Sequence, residues 1–227
     1  MARWVAFVGL ALGGCTAVYA PPVRVAQLGA PGRIQPGQVE VAAANVGLPH
    51  GFIGSSVGYA AREHLIVLAG ADGGLRRFAL GWVGLQVPGT YHLTGRWSVS
   101  ADGELGAGAG VGGRCDDDDD SNELCRERPA WNRRPAGGGY LGAGGALRYG
   151  PVSLYSRARV QTTTARDIPT TTWTTLSGGL HGHILDRADV FLGVTGFRYA
   201  NGVDAFGYFV GELGLAFRFD PVLGWRR

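Results

Sequence analysis

A two-residue alternation, recurring from Val39 to Phe219, constrains this chain more than any motif it carries. The last run shows it plainly. Phe209, Leu213, Leu215, Phe217 and Phe219 fall on one face, interrupted by Gly211, while Tyr208, Val210, Glu212, Gly214, Ala216 and Arg218 fall on the other. A period of two belongs to an extended strand, whose successive side chains point to opposite sides. One face is aromatic and aliphatic; the other is small or charged. A membrane-spanning barrel strand satisfies both, with lipid outside and a polar interior within.

Nine further runs begin near Val39, Phe52, Leu65, Arg77, Arg96, Gly139, Val152, Thr171 and Asp189, and no run beyond the N-terminal segment has a 3.6-residue period. The sequence therefore predicts an all-β chain, a single antiparallel up-and-down β-barrel of about ten strands over residues 38–219, with eight strands the main rival. An even count returns both ends of the barrel to one side. The run Arg96 to Val111 puts Trp97, Val99, Leu105 and Val111 on one face and Asp102 and Glu104 on the other. It is far longer than the roughly 5–6 residues of a globular strand and suits a tilted barrel strand. Asp72-Gly73-Gly74 reads as a hairpin turn. Pro88 to Gly95 and Thr162 to Pro169 read as loops, 112–138 as a long extracellular insert, and 220–227 as a tail. Turns near residues 62, 150 and 186 would face the periplasm. The 40 glycines would each cost about 0.5–1 kcal/mol against alanine in a regular element, but barrels use them at bends and small interior positions. They follow no Gly-X-Y period, which excludes collagen. A formal charge of +3, with no basic patch interleaved with aromatics, gives no nucleic-acid partner.

The N-terminus reads as a targeting segment. Arg3 precedes a short apolar stretch, Trp4 to Leu12, too short to cross a bilayer as a helix, and Leu12-Gly13-Gly14-Cys15 resembles a bacterial lipobox. Residues 1–14 are then a lipoprotein signal peptide and Cys15 is the acylated residue, anchored with a periplasmic N-terminus. The rival is an ordinary signal cleaved after Ala20, which Pro21 and Pro22 disfavour. Residues 15–37, with Pro21, Pro22, Pro31 and Pro36, read as an extended tether. Two cysteines remain, Cys115 and Cys125, and an even pair in an exported protein reads as a disulfide.

Three groups of residues invite chemistry. Asp116, Asp118, Asp120, Asn122 and Glu127 match positions one, three, five, seven and twelve of an EF-hand-like loop, though Ser121 replaces the sharp-turn glycine. Weak Ca2+ binding, with Asp116, Asp118 and Asp120 as ligands, stands against a solvated acidic loop. His181 and His183 share a strand face and could supply two metal ligands, or a base beside Ser177; nothing in sequence supplies a third ligand or an orienting acid, so a polar lining is the plainer reading. No cofactor is indicated. Asp102, Glu104, Arg157, Arg159, Glu212 and Arg218 fall on inward faces and make a lumen ion network, since charge inside a membrane barrel must be paired or watered. In a barrel this small, side chains would fill most of the interior.

Leu12 to Cys15, the alternating runs, and the terminal stretch Gly211 to Phe219 together resemble the small outer-membrane β-barrel proteins of Gram-negative bacteria, in a lipoprotein form. The chain departs from their usual aromatic C-terminus, since Phe219 is followed by Asp220 to Arg227. The resemblance implies a structural or surface-interaction role in contact with outer-membrane lipid. The alternatives are a barrel enzyme acting on lipid or peptide, and a soluble periplasmic ligand-binding barrel lipoprotein. A clustered histidine, serine and acid would favour the enzyme; an outward apolar belt would favour the membrane.

Overall fold

The computed structural model describes residues 20–29, 34–47, 52–74, 78–112, 134–166, 168–202 and 205–220. Residues 1–14, read as a signal peptide, together with Cys15, the acidic loop and the pair Cys115 and Cys125, lie outside the described residues.

Ten antiparallel strands close into a barrel: β1 (Val39–Val46), β2 (Phe52–Arg62), β3 (Leu65–Gly74), β4 (Phe78–His92), β5 (Trp97–Gly112), β6 (Pro135–Tyr149), β7 (Val152–Ala165), β8 (Ile168–Leu185), β9 (Ala188–Ala200) and β10 (Ala205–Phe219). Each pairs with its neighbour in sequence, and β1 meets β10 with Val39 opposite Phe219 and Val46 opposite Glu212. No strand edge is left unpaired, which removes the aggregation hazard of an open sheet. At one end, the turn end, the connections are short: residues 63–64, 93–96, 150–151 and 186–187. The other, the loop end, carries the long segment between β5 and β6.

Three sequence readings are corrected in detail. Asp72-Gly73-Gly74 is not a turn; β3 continues through it, and Asp72 points into the barrel. Pro88 and Gly89 lie within β4, paired with Asp102 and Ala101, so the connection is only residues 93–96. Thr162 to Pro169 is mostly strand, with β7 running to Ala165 and β8 starting at Ile168. Barrel strands keep their ladder through residues that would break a soluble strand, because neighbours on both sides hold them.

The alternation is clearest in β7, where Ser153, Tyr155, Arg157, Arg159, Gln161 and Thr163 are buried between exposed neighbours. Outward positions carry the apolar surface: Val57, Val83, Leu85, Leu105, Leu141, Val160, Leu176, Leu192, Val194, Leu213 and Leu215 are all at least 40% exposed. Tyr59, Tyr91, Trp97, Tyr149 and Phe217 ring the turn end on the same outer surface. Trp97 and Tyr149 contact across β5 and β6 with ring centroids 4.7 Å apart. Inside, the barrel is not merely polar. Trp82, Tyr140, Tyr155, Trp173, Phe191, Phe197 and Tyr199 fill it beside the charged groups.

Candidate functional site

Within the stretch read as an extended tether, residues 20–29 run through the lumen. From Ala20 to Leu28 it is buried, no residue more than 3% exposed among those with named values. An extended segment without strand neighbours must place its backbone polar groups somewhere, and here the barrel wall supplies side chains for them. At the loop end Ala20 N donates to Thr171 Oγ1 (3.0 Å) and Ala20 O accepts from Trp173 Nε1 (2.8 Å). Gln161 brackets Arg24, accepting from its N–H (2.8 Å) and donating to its carbonyl (2.7 Å). Asp72 accepts from the backbone of Val25 and Ala26, and from Trp82 Nε1 (3.3 Å). Deeper still, Glu212 Oε1 accepts from Gln27 N (2.8 Å) and Leu28 N (3.0 Å). Leu28 and Gly29 both adopt positive φ. For a leucine this costs on the order of 1–2 kcal/mol, and the Glu212 carboxyl, accepting from the Gln27 and Leu28 amides, holds them in place. The chain then emerges at the turn end, where Gly37 N donates to Ala60 O (2.8 Å) before β1 begins.

Wall glycines make the room. A Cβ at Gly108 would stand 2.6 Å from Val23 Cγ1, and one at Gly112 would stand 2.8 Å from Pro21 Cγ. One at Gly54 would collide with Ala26.

Side-chain charge locks the middle of the segment. Glu104 accepts from three guanidinium groups: Arg24 Nη1 and Arg157 Nη1 meet Oε2 (2.8 Å each), and Arg159 Nε meets Oε1 (2.7 Å). Arg157 Nη2 also donates to Asp102 Oδ2 (2.6 Å), which Gln86 shares. Arg24 lies 4.2 Å over the ring of Trp82, a cation–π contact sheltered from water. The six residues read as one network therefore divide. Asp102, Glu104, Arg157 and Arg159 form a central cluster with Arg24, which the sequence reading missed. Glu212 holds the threaded backbone. Arg218 is elsewhere, at the turn end.

There Arg218 Nη2 donates to Asp189 Oδ1 (2.8 Å), and His183 Nδ1 lies 2.8 Å from the same oxygen. His181 Nε2 lies 3.1 Å from Asp189 Oδ2. Cross-strand pairing of His183 with Asp189 supplies the acid that sequence spacing could not place. Ser177 is not its companion; it donates to Arg157 O (3.3 Å), higher in the lumen, and the residue opposite His181 is Ser153. Two imidazoles and a carboxylate are a donor set for a zinc-like ion. Asp189, however, already receives both imidazoles and a guanidinium, and Arg218 puts positive charge beside the oxygen a cation would need. Asp189 is thus the shared partner of all three side chains. The cluster borders a vestibule of about 630 Å³ that also touches Thr90, His92, Ser98, Arg148 and Ser153. Beyond it, a cavity of about 20 Å³ lies beside Arg24 and Gln27, room for about one water.

No family model matches this chain, and no curated protein is similar to it. Among solved structures it is similar to the N-terminal β-barrel domain of Pseudomonas aeruginosa OprF, at 12% identity and a TM-score of 0.39, covering 81% of this chain and 98% of that one. It is also similar to the outer membrane protease OmpT of Escherichia coli, at 11% identity and a TM-score of 0.36, covering 81% and 94%. A third is OmpT, an outer membrane protein of Vibrio cholerae, in a loop L8 deletion mutant, at 7% identity and a TM-score of 0.32, covering 81% and 97%. At such identities and scores the likeness says nothing about what this chain binds or does.

Proposed function

We propose that this protein is an outer-membrane β-barrel lipoprotein, acylated at Cys15, with a structural or surface-interaction role and a lumen closed by its own N-terminal segment. One observation carries the reading: the barrel wears its apolar residues outside and its ion pairs and threaded backbone inside. A soluble barrel would reverse that arrangement. An exposed apolar belt of this extent exceeds the few hundred Å² that soluble monomers tolerate, and lipid is the solvent it fits. The aromatic ring at the turn end marks the interface on that side. Residues 20–29 take the place of the side-chain plug expected for so small a barrel and fill the lumen around Arg24. The surface role falls to the loop end, where Cys115 and Cys125 close the acidic segment as a disulfide and its aspartates meet divalent cations weakly.

Fractionation with heat-modifiable gel mobility tests the membrane reading. The protein should partition with outer membranes and migrate differently before and after boiling. Recovery in the soluble fraction, with one mobility, would overturn it.

A barrel hydrolase opening at the turn end is favoured by a single observation: Ser153 lies opposite His181 across β7 and β8, and His181 Nε2 lies 3.1 Å from Asp189 Oδ2 on β9. Covalent labelling by a fluorophosphonate, lost in Ser153→Ala, would establish it; absence of labelling leaves the closed scaffold.

A further inference from the structure

The direction of the threaded segment fixes which face of the membrane carries the chain upstream of it. Ala20 is bonded to Thr171 and Trp173, among the last rungs of β8 before the loop end, where Thr172 pairs with Ala200. Arg24 sits beside Gln161 and Glu104, Leu28 beside Glu212, and Gly37 beside Ala60 at the turn end. The segment thus descends from the loop end to the turn end, and β1 climbs back. Cys15 precedes Ala20 by five residues. Five residues reach at most about 18 Å even when fully extended. The apolar band of a barrel is about 25 Å tall, and the lumen route is filled by the segment itself. Cys15 has no path to the turn end.

We infer that the acyl anchor on Cys15 enters the membrane leaflet on the loop end, the side of the long insert between β5 and β6, so that a conventionally oriented barrel carries its lipid on the cell surface. This rests on the membrane-barrel reading above, and it replaces the expected periplasmic anchor. Ala20 also belongs to the packed segment through both its N–H and its carbonyl. Cleavage after Ala20 would remove both bonds, whereas processing at Cys15 keeps them. Anchor and thread then act together. The acyl chains tether the segment from above and β1 tethers it from below.

Single-cysteine labelling with a membrane-impermeant maleimide tests this on the full chain in its outer membrane, in a Cys115→Ser, Cys125→Ser background. Ala17→Cys reports the upstream chain, Asn122→Cys the insert, and Arg187→Cys the exposed turn between β8 and β9. The inference expects Ala17→Cys to label on intact cells to the same extent as Asn122→Cys, and Arg187→Cys only after permeabilisation. If Ala17→Cys labels only after permeabilisation, like Arg187→Cys, the inference is overturned while the barrel reading stands. If Ala17→Cys fails to label even in denaturant, the residue has been removed with a longer signal and there is no anchor to place. Equal labelling of Asn122→Cys and Arg187→Cys on intact cells would instead refute the membrane barrel itself.

Discussion

Replacing Glu104 by glutamine should loosen the threaded segment without dissolving the barrel. Glu104 is wholly buried and takes three guanidinium groups, on Arg24, Arg157 and Arg159. Glutamine keeps the shape but turns one acceptor into a donor, which then faces guanidinium N–H groups. Of the three cations only Arg157 keeps a paired carboxylate, Asp102. Removing one partner of a buried ion pair costs about 3–5 kcal/mol. Arg157 and Arg159 stay in the wall whether or not the segment is docked, so the relief comes from releasing Arg24. The part of the cost that acts on docking is therefore near the lower bound, about 3 kcal/mol, a factor of about 150 in the docking equilibrium. Trypsin reads this directly, because it cuts after Arg24 only when the segment is open. In detergent-folded protein at low protease, cleavage at Arg24 should follow the open population and rise on the order of a hundredfold in Glu104→Gln, while heat-modifiable mobility persists. Cleavage no faster than in the parent would show that the cluster does not hold the segment.

Other perturbations separate wall from thread. Gly54→Leu should expose Arg24 to trypsin as well, since its side chain takes the place of Ala26; unchanged protection would contradict the close approach. Leu105→Arg, at the middle of β5 on the outer face, should destabilise the folded barrel in lipid by about 2–4 kcal/mol in urea unfolding. Leu154→Arg, three residues into β7 from the turn end, should cost less; equal and negligible effects at both sites would argue against lipid contact. Asp189→Asn should loosen the turn end by about 3 kcal/mol, because it leaves Arg218 and two histidines without their shared carboxylate; unfolding at the parent urea midpoint would refute that. Iodoacetamide should fail to modify unreduced protein at Cys115 and Cys125, and labelling at both would mean that no disulfide forms.

The wall of this barrel could be read from sequence because the outer and inner faces of its strands differ in chemistry, and β5 and β10 record both. Pro88, Gly89 and Thr162 to Ala165 misled because proline, glycine and threonine mark turns in soluble chains, whereas here the ladders of neighbouring strands carry them. Asp72 was hidden in an Asp-Gly-Gly turn signature although it faces inward to bind the backbone of Val25 and Ala26. The threaded segment was illegible for a deeper reason. It is surrounded on all sides, so it has no polar and apolar faces and hence no period, and its backbone partners are side chains 46 to 185 residues away. The trace it left was indirect: inward-facing carboxylates at Asp72 and Glu212 that accept backbone amides of the segment. His181 and His183 were visible, but their acid, Asp189, lay across a hairpin whose register only the fold fixes.

Ion conductance across a planar bilayer tests the central claim, that the chain closes its own lumen. The intact protein should insert without stepwise conductance, and a variant lacking residues 20–29 should open steps at the same protein-to-lipid ratio. Steps of equal size from both would contradict it, since water and ions would then pass a lumen that Arg24 and its neighbours fill.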